Sequence, residues 1–264
     1  MNNGPQSDSS YLDKAISFDT TLVAGSDTVE KLVFLYDNAK RLSRMIQTYG
    51  TGFADSSITD YFYSGSDTLP FKQITREILT GIYDYTDTSF YSYSNRFVSR
   101  DSVISRDNNL GQIAGASVTE YMVSGSNVNR SSRQYDFVSG NFVLLSNDLS
   151  LLNVINSGGN LISQTLVSGT NTFQSVQATY DNKPNPLLKV LKIKFPEADT
   201  REWLAWLFQK NNPAQVQYQE MGFPVETEIY NYAYRSDGWP LGFTFSTTAG
   251  NSFSNKVRFY YKVL

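Results

Sequence analysis

The chain has no cysteine and no histidine. Without cysteine there are no disulfides, no thiol nucleophile and no thiolate zinc ligand. Without histidine the commonest general base is gone, and with it every Ser-His-Asp arrangement. Absence of cysteine does not fix the compartment, although envelope proteins that lack disulfides often lack the residue altogether. Long apolar runs are missing too. No stretch approaches the ~18 apolar residues of a membrane-spanning helix, so none is expected. The opening residues, MNNGPQSDSS, contain no apolar signal core and read as a disordered lead-in over 1–10. The protein is then either cytosolic or written without a leader. Charge of one sign is also scarce: 22 Lys and Arg face 25 Asp and Glu, a net charge of −3 spread along the chain. With no basic patch in the sequence, neither nucleic acid nor a polybasic membrane contact is expected as a partner. No motif implies a cofactor or a metal, because the turn Asp and Asn residues lack the alternating acidic spacing of a calcium loop.

What the chain has in plenty is aromatic residues, 18 Tyr, 17 Phe and 3 Trp, together with 17 Gly. Aromatics favour strands and bury large areas, and Gly with Ser, Asn and Asp supplies tight turns. The fold class expected is all-β: an antiparallel β-meander of successive hairpins, curled or partly closed, with one helix in the C-terminal third packed on it. Residues 11–264 make a single domain, with 180–186 as its one candidate subdivision.

The clearest unit is Leu32–Tyr49. Leu32, Phe34 and Tyr36 fall on one side of an extended chain, Asp37-Asn38-Ala39 turns it, and Leu42, Arg44 and Ile46 run back. A helix over 30–49 is the rival, disfavoured by Asp37-Asn38 and by the β-rich Val33, Phe34 and Tyr36. One turn chemistry recurs at Ala24-Gly25-Ser26-Asp27, Ser64-Gly65-Ser66-Asp67, Ser124-Gly125-Ser126-Asn127, Ser157-Gly158-Gly159-Asn160 and Ser168-Gly169-Thr170-Asn171. The strongest turn is Asp237-Gly238, after Tyr232-Ala233-Tyr234. Returning strands are expected at 73–83, 142–145, 161–167 and 241–245. The prolines of Tyr180–Pro186 make that stretch an ordered loop rather than a strand. The best helix runs from about Thr200 to Lys210, with Asp199 and Glu202 as a capping box and Trp203 and Trp206 on its apolar stripe. At the C-terminus Val257, Phe259, Tyr261 and Val263 alternate with Lys256, Arg258, Tyr260 and Lys262, which is a half-buried strand.

Three segments carry a family resemblance: Tyr36-Asp37-Asn38, Tyr180-Asp181-Asn182-Lys183-Pro184-Asn185-Pro186, and Tyr232 to Pro240 with its Y-x-Y-x-x-x-D-G-x-P pattern. In these the chain resembles uncharacterised envelope lipoproteins of Bacteroidetes, the DUF4595-like group with degenerate YD-type hairpin repeats. The order of features over 180–240 matches that group, and the first half matches in hairpin style alone. The resemblance implies export, a β-meander sheet and lipid anchoring through a Cys upstream of this sequence. It implies no activity.

Candidate ligand-binding residues are Trp239, Tyr234 and Tyr232. Trp239 follows a loop tip where a large aromatic is less expected, and with the two tyrosines it could form a stacking platform. Cross-strand packing of the same rings is the plainer alternative, each pair worth ~0.2–1 kcal/mol. Trp203 and Trp206 could stack on sugars but fit a core stripe better. Glu220, Glu226 and Glu228 could form a paired-carboxylate site. Nothing in the sequence links them, and alternating Glu on a strand reads as a solvated face. No catalytic residue is assigned. The expected function is a non-enzymatic binding or scaffold protein of the cell envelope, secreted or lipid-anchored in the periplasm or outer membrane, with a glycan or another envelope protein as partner. A carboxylate-dependent glycan hydrolase is the alternative. A membrane-spanning barrel is disfavoured because most expected strands are short and polar on both sides.

Overall fold

The computed structural model describes residues 10–19, 28–49, 54–94, 97–147, 150–168, 171–190, 209–248 and 254–264. The chain runs up and down through β1 (Ser10–Asp19), β2 (Thr28–Tyr36), β3 (Leu42–Tyr49), β4 (Asp55–Phe62), β5 (Lys72–Leu79) and β6 (Tyr83–Ser94). It continues through β7 (Phe97–Asp107), β8 (Gln112–Ser124), β9 (Asn127–Val138), β10 (Asn141–Asn147), β11 (Ser150–Ile155) and β12 (Leu161–Ser168). After β13 (Asn171–Pro184) and a one-turn helix α1 (Pro186–Val190) come β14 (Asn211–Glu220), β15 (Glu226–Tyr234), β16 (Pro240–Thr247) and β17 (Ser254–Val263).

Every pairing is antiparallel, and β1 bonds to both β2 and β17. The sheet therefore closes on itself, which corrects the curled or partly closed sheet expected above. A long twisted sheet coils, and joining its edges removes the unpaired N–H and C=O groups that an open edge exposes. β10 and β11 pair with successive halves of β9 and occupy one position, so the wall is a barrel of 16 staves.

Several expected elements form. The Leu32–Tyr49 hairpin is β2 and β3, its turn closed by Lys40 N–H donating to Asp37 C=O at 2.9 Å and by the Asp37 carboxylate accepting from Arg41 N–H at 2.8 Å. Gly65, Gly125, Gly159 and Gly238 all take the positive φ their turns require. Two elements differ. The expected strand 73–83 is interrupted by a turn at Thr80–Ile82, so Tyr83 opens β6 instead. Tyr180–Pro184 is not a loop but the end of β13, and its prolines are accommodated because the register slips there. Tyr180 lies opposite Pro213 and Pro184 opposite Asn211, and the ladder bond there is donated by Asn185 N–H to Lys210 C=O at 3.1 Å, so no amide is needed at Pro184. The helix expected over 200–210, with Trp203 and Trp206, lies outside the described residues, as do the lead-in over 1–9 and the turns at 24–27 and 169–170.

Alternation along each strand gives the barrel an inner and an outer face. The inner face differs at its two ends. At the end of the turns 37–41, 125–126, 156–160 and 235–239 it is apolar and closed: Leu32, Phe34, Leu42, Val98, Val128, Leu161, Val176, Val216 and Val257 form one cluster with Tyr61, Tyr91 and Tyr121. α1 packs against β1, a stave that β13 does not touch, so it crosses this packed end with Leu187 fully buried. At the opposite end the inner face is polar.

The outer face carries charge in mid-strand. Arg44 bonds Asp60 at 2.6 Å, Arg76 bonds Asp84 at 2.5 Å and Arg133 bonds Glu120 at 2.8 Å. Gln215, Gln217 and Gln219 follow one another along β14 on that face. A wall turned toward lipid would bear an apolar band, since an Arg or Lys at mid-membrane costs about 2–4 kcal/mol. This wall sets such ion pairs beside exposed apolar side chains, among them Leu35, Phe62, Phe90 and Ile104, and encloses an interior that is apolar at one end and polar at the other.

Candidate functional site

Among the described residues, two places on the barrel are rich in interacting polar side chains. The first is the packed end, where residues 181–185, 211–212 and 234 meet. Asp181, in the register slip of β13, accepts hydrogen bonds from the Tyr234 hydroxyl, from Lys183 N–H at 2.9 Å and from Asn212 N–H at 3.3 Å. Asn212 is completely buried, and its Nδ2 also donates to Asp181 Oδ2 at 3.2 Å. Asn211 and Asn160 bond each other twice, both at 3.0 Å. Asn185 caps α1 by accepting from Leu187 N–H at 2.9 Å, and Pro186 takes the first helical position, where no amide is needed. The Tyr-Asp-Asn-Lys segment, the Asn-Asn pair and the Tyr-x-Tyr strand, remote in sequence, are one hydrogen-bonded knot.

The three candidate ligand-binding residues belong to this end. Tyr232 and Tyr234 stack on each other with ring centroids 5.8 Å apart, and Tyr232 also packs on Phe243 at 5.2 Å. Trp239 is buried, 6% exposed, and its ring faces Tyr261 at 6.2 Å. The turn before it is closed by Arg235 N–H donating to Trp239 C=O at 2.8 Å and by an Arg235–Asp237 ion pair at 2.8 Å. The structure thus brings Tyr232 and Tyr234 together and seats Trp239 on a different ring.

The second place is a cavity of about 410 Å³ at the polar end, lined by Gln174, Tyr218, Glu220, Phe223, Pro224, Glu226 and Glu228. Register builds it. Tyr218 lies opposite Glu226, Gln174 opposite Glu220, and Glu226 and Glu228 share the inner face of β15 with Tyr230. The 221–225 turn forms its lip, with Met221, Phe223 and Val225 exposed. Glu226 accepts from Thr247 Oγ1 at 2.6 Å. Glu228 accepts from the Tyr230 hydroxyl at 2.6 Å and the Tyr218 hydroxyl at 3.2 Å. Burial pushes the Glu228 carboxyl above its ordinary range and Glu226 adds to this, while the two tyrosine donors pull it back. A carboxyl so placed is suited to holding or exchanging a proton.

Glu220, Glu226 and Glu228 were expected on a solvated face; they converge on the cavity instead. The usable signal was parity: Glu226, Glu228, Tyr230, Tyr232 and Tyr234 are all two apart and share one face. Other carboxylates line the same end of the lumen. Glu30 accepts from Gln47 Nε2 at 2.5 Å, Glu77 from the Tyr49 hydroxyl at 3.2 Å, and Asp55 from Thr80 N–H at 2.8 Å.

No protein-family model matches this chain, and no curated protein does. Among solved structures it is similar to a porin-like protein from Bacteroides vulgatus ATCC 8482, with a TM-score of 0.55 and 13% identity over 97% of this chain and 100% of that one. A porin-like protein from Bacteroides uniformis ATCC 8492 aligns at a TM-score of 0.44 and 12% identity, covering 95% of this chain and 96% of that one. What the chain shares with the B. vulgatus protein is the barrel fold.

Proposed function

We propose that this chain is a non-enzymatic binding protein of the bacterial cell envelope that holds a glycan at the polar end of its barrel. One observation carries the reading: the cavity between β13, β14 and β15 combines three carboxylates with the rings of Tyr218 and Phe223. Carboxylates accept hydrogen bonds from neighbouring sugar hydroxyls, and aromatic faces stack on the C–H surface of a pyranose. Envelope placement is supported by the likeness to a porin-like barrel and by the motif resemblance to DUF4595-like lipoproteins. That resemblance also supports a lipid anchor upstream of this sequence.

A glycan array tests the reading. Wild type should bind a restricted set of glycans, and Tyr218→Ala and Glu226→Gln should each weaken binding about tenfold, the loss expected from one stacking or charge-assisted contact. Wild type binding no glycan would count against it. Trp239→Ala is the companion variant: if it abolishes binding while leaving the fold intact, the ligand sits at the packed end on Trp239, Tyr232 and Tyr234.

A second reading, glycan hydrolysis, is favoured by the carboxyl pair. Glu226 and Glu228 are two residues apart on one face of β15 and both line the cavity, and glycosidases work with two carboxyl groups flanking the scissile bond. Reducing-sugar release that Glu228→Gln abolishes would establish it. Intact glycan recovered from the complex would leave binding.

A further inference from the structure

The alternation that gives this barrel two faces also sorts its charges by sign. On β17, β1 and β2 the inward positions carry Val257, Phe259, Ala15 and Leu32, whereas Lys256, Arg258, Lys14 and Lys31 point outward. Register arranges these cations on a grid: Arg258 lies opposite Ile16 and Ile16 opposite Lys31, while Lys14 lies between Tyr260 and Val33. Three adjacent staves span about 10 Å, close to the ~8 Å screening length at physiological salt. The four cations therefore act as one field.

Outward carboxylates elsewhere on the wall are committed: Asp60 to Arg44, Asp84 to Arg76 and Glu120 to Arg133. Asp13, at the packed-end edge of this sector, is held by Lys262 at 3.0 Å. Among the described residues no ion pair engages Lys14, Lys31, Lys256 or Arg258. Two of them lie along aromatic rings instead, Lys14 4.6 Å from Tyr260 and Arg258 5.4 Å from Phe18, so rings and charges are presented together. A chain of net charge −3 thus shows a basic sector, because its inward positions hold carboxylates such as Glu30, Glu77, Glu226 and Glu228.

We propose that the β17–β1–β2 sector docks the barrel side-on against an anionic phospholipid surface. The occupant follows from shape and charge. The cations stand on a convex wall and cannot converge on one phosphate, but they match the repeated phosphates of a bilayer, where Phe18 and Tyr260 can settle at headgroup level. The proposal goes beyond the glycan-binding reading and does not use the cavity.

Co-sedimentation of the full chain with vesicles tests it. Wild type should bind phosphatidylcholine vesicles containing phosphatidylglycerol and not phosphatidylcholine alone, with binding lost at high salt. Lys14→Gln, Lys31→Gln and Arg258→Gln should each weaken binding about fivefold, with unchanged thermal midpoints, and Lys72→Gln on β5 should leave it as it was. Equal binding to both vesicle types, or a triple variant that binds like wild type, would overturn the proposal. So would displacement by inorganic phosphate at an ionic strength where chloride has no effect, which would mark a discrete anion site. Glycan binding lost without vesicle binding, or the reverse, separates this proposal from the cavity.

Discussion

Glu228 is where the polar end shows its chemistry most plainly. Its carboxyl is held above the ordinary value of 4.5 by burial and by Glu226. A group whose folded pKa is raised stabilises the fold fully below its unfolded value and loses that contribution as pH rises through the folded one. Glu228→Gln, which keeps an oxygen for Tyr218 and Tyr230, should therefore raise the thermal midpoint at neutral pH, and the advantage should vanish below pH 4.5. Melting curves across that range decide it, and an advantage that grows on acidification would contradict the assignment. Asn212 is the counterpart at the packed end. Asn212→Ala removes donors from a carboxylate that must remain in place, so about 1–3 kcal/mol should be lost, read as a lower urea midpoint with an unchanged slope.

At the level of strands and turns, two glycines separate what a sequence displays from what it hides. Gly238, in the Asp-Gly turn, has φ +88 and open space around it, so Gly238→Ala should cost about 1–2 kcal/mol from backbone strain alone. Gly242 has no such φ, yet a Cβ there would come within 2.1 Å of the Val257 carbonyl oxygen on the next strand. Gly242→Ala must push β16 from β17 and should cost about 3 kcal/mol or more, measurable by chemical denaturation of the two variants side by side. The first glycine was legible because turn chemistry is local. The second was not, because its reason is a neighbouring backbone. The same division runs through the chain. Leu32–Tyr49 and Val257–Tyr261 declare themselves by alternation, whereas β13 runs on through Pro184 because a register slip sets it opposite Asn211, where the neighbouring Asn185 N–H makes the ladder bond to Lys210 C=O. The glutamates of β15 look solvated by their charge, and it is their parity with Tyr230 and Tyr232 that places them on the inner face.

For the whole molecule the decisive contact is the seam between β1 and β17, where Ala15 lies between Phe259 and Leu32. No local pattern announces it, since the partners stand at opposite ends of the sequence. Closure predicts that amides of β1 and β17 exchange with solvent as slowly as those of β4 or β14; fast exchange at alternate positions would reveal an open edge. The seam has one more consequence. Ser10 sits opposite Val263, so a few residues of linker could join Leu264 to Ser10 in a chain of residues 10–264, and the exposed turn at Thr80–Ile82 could be cut to give new ends. A ring has no first stave. The permuted chain should fold to the same barrel, with the order of synthesis changed and the architecture kept.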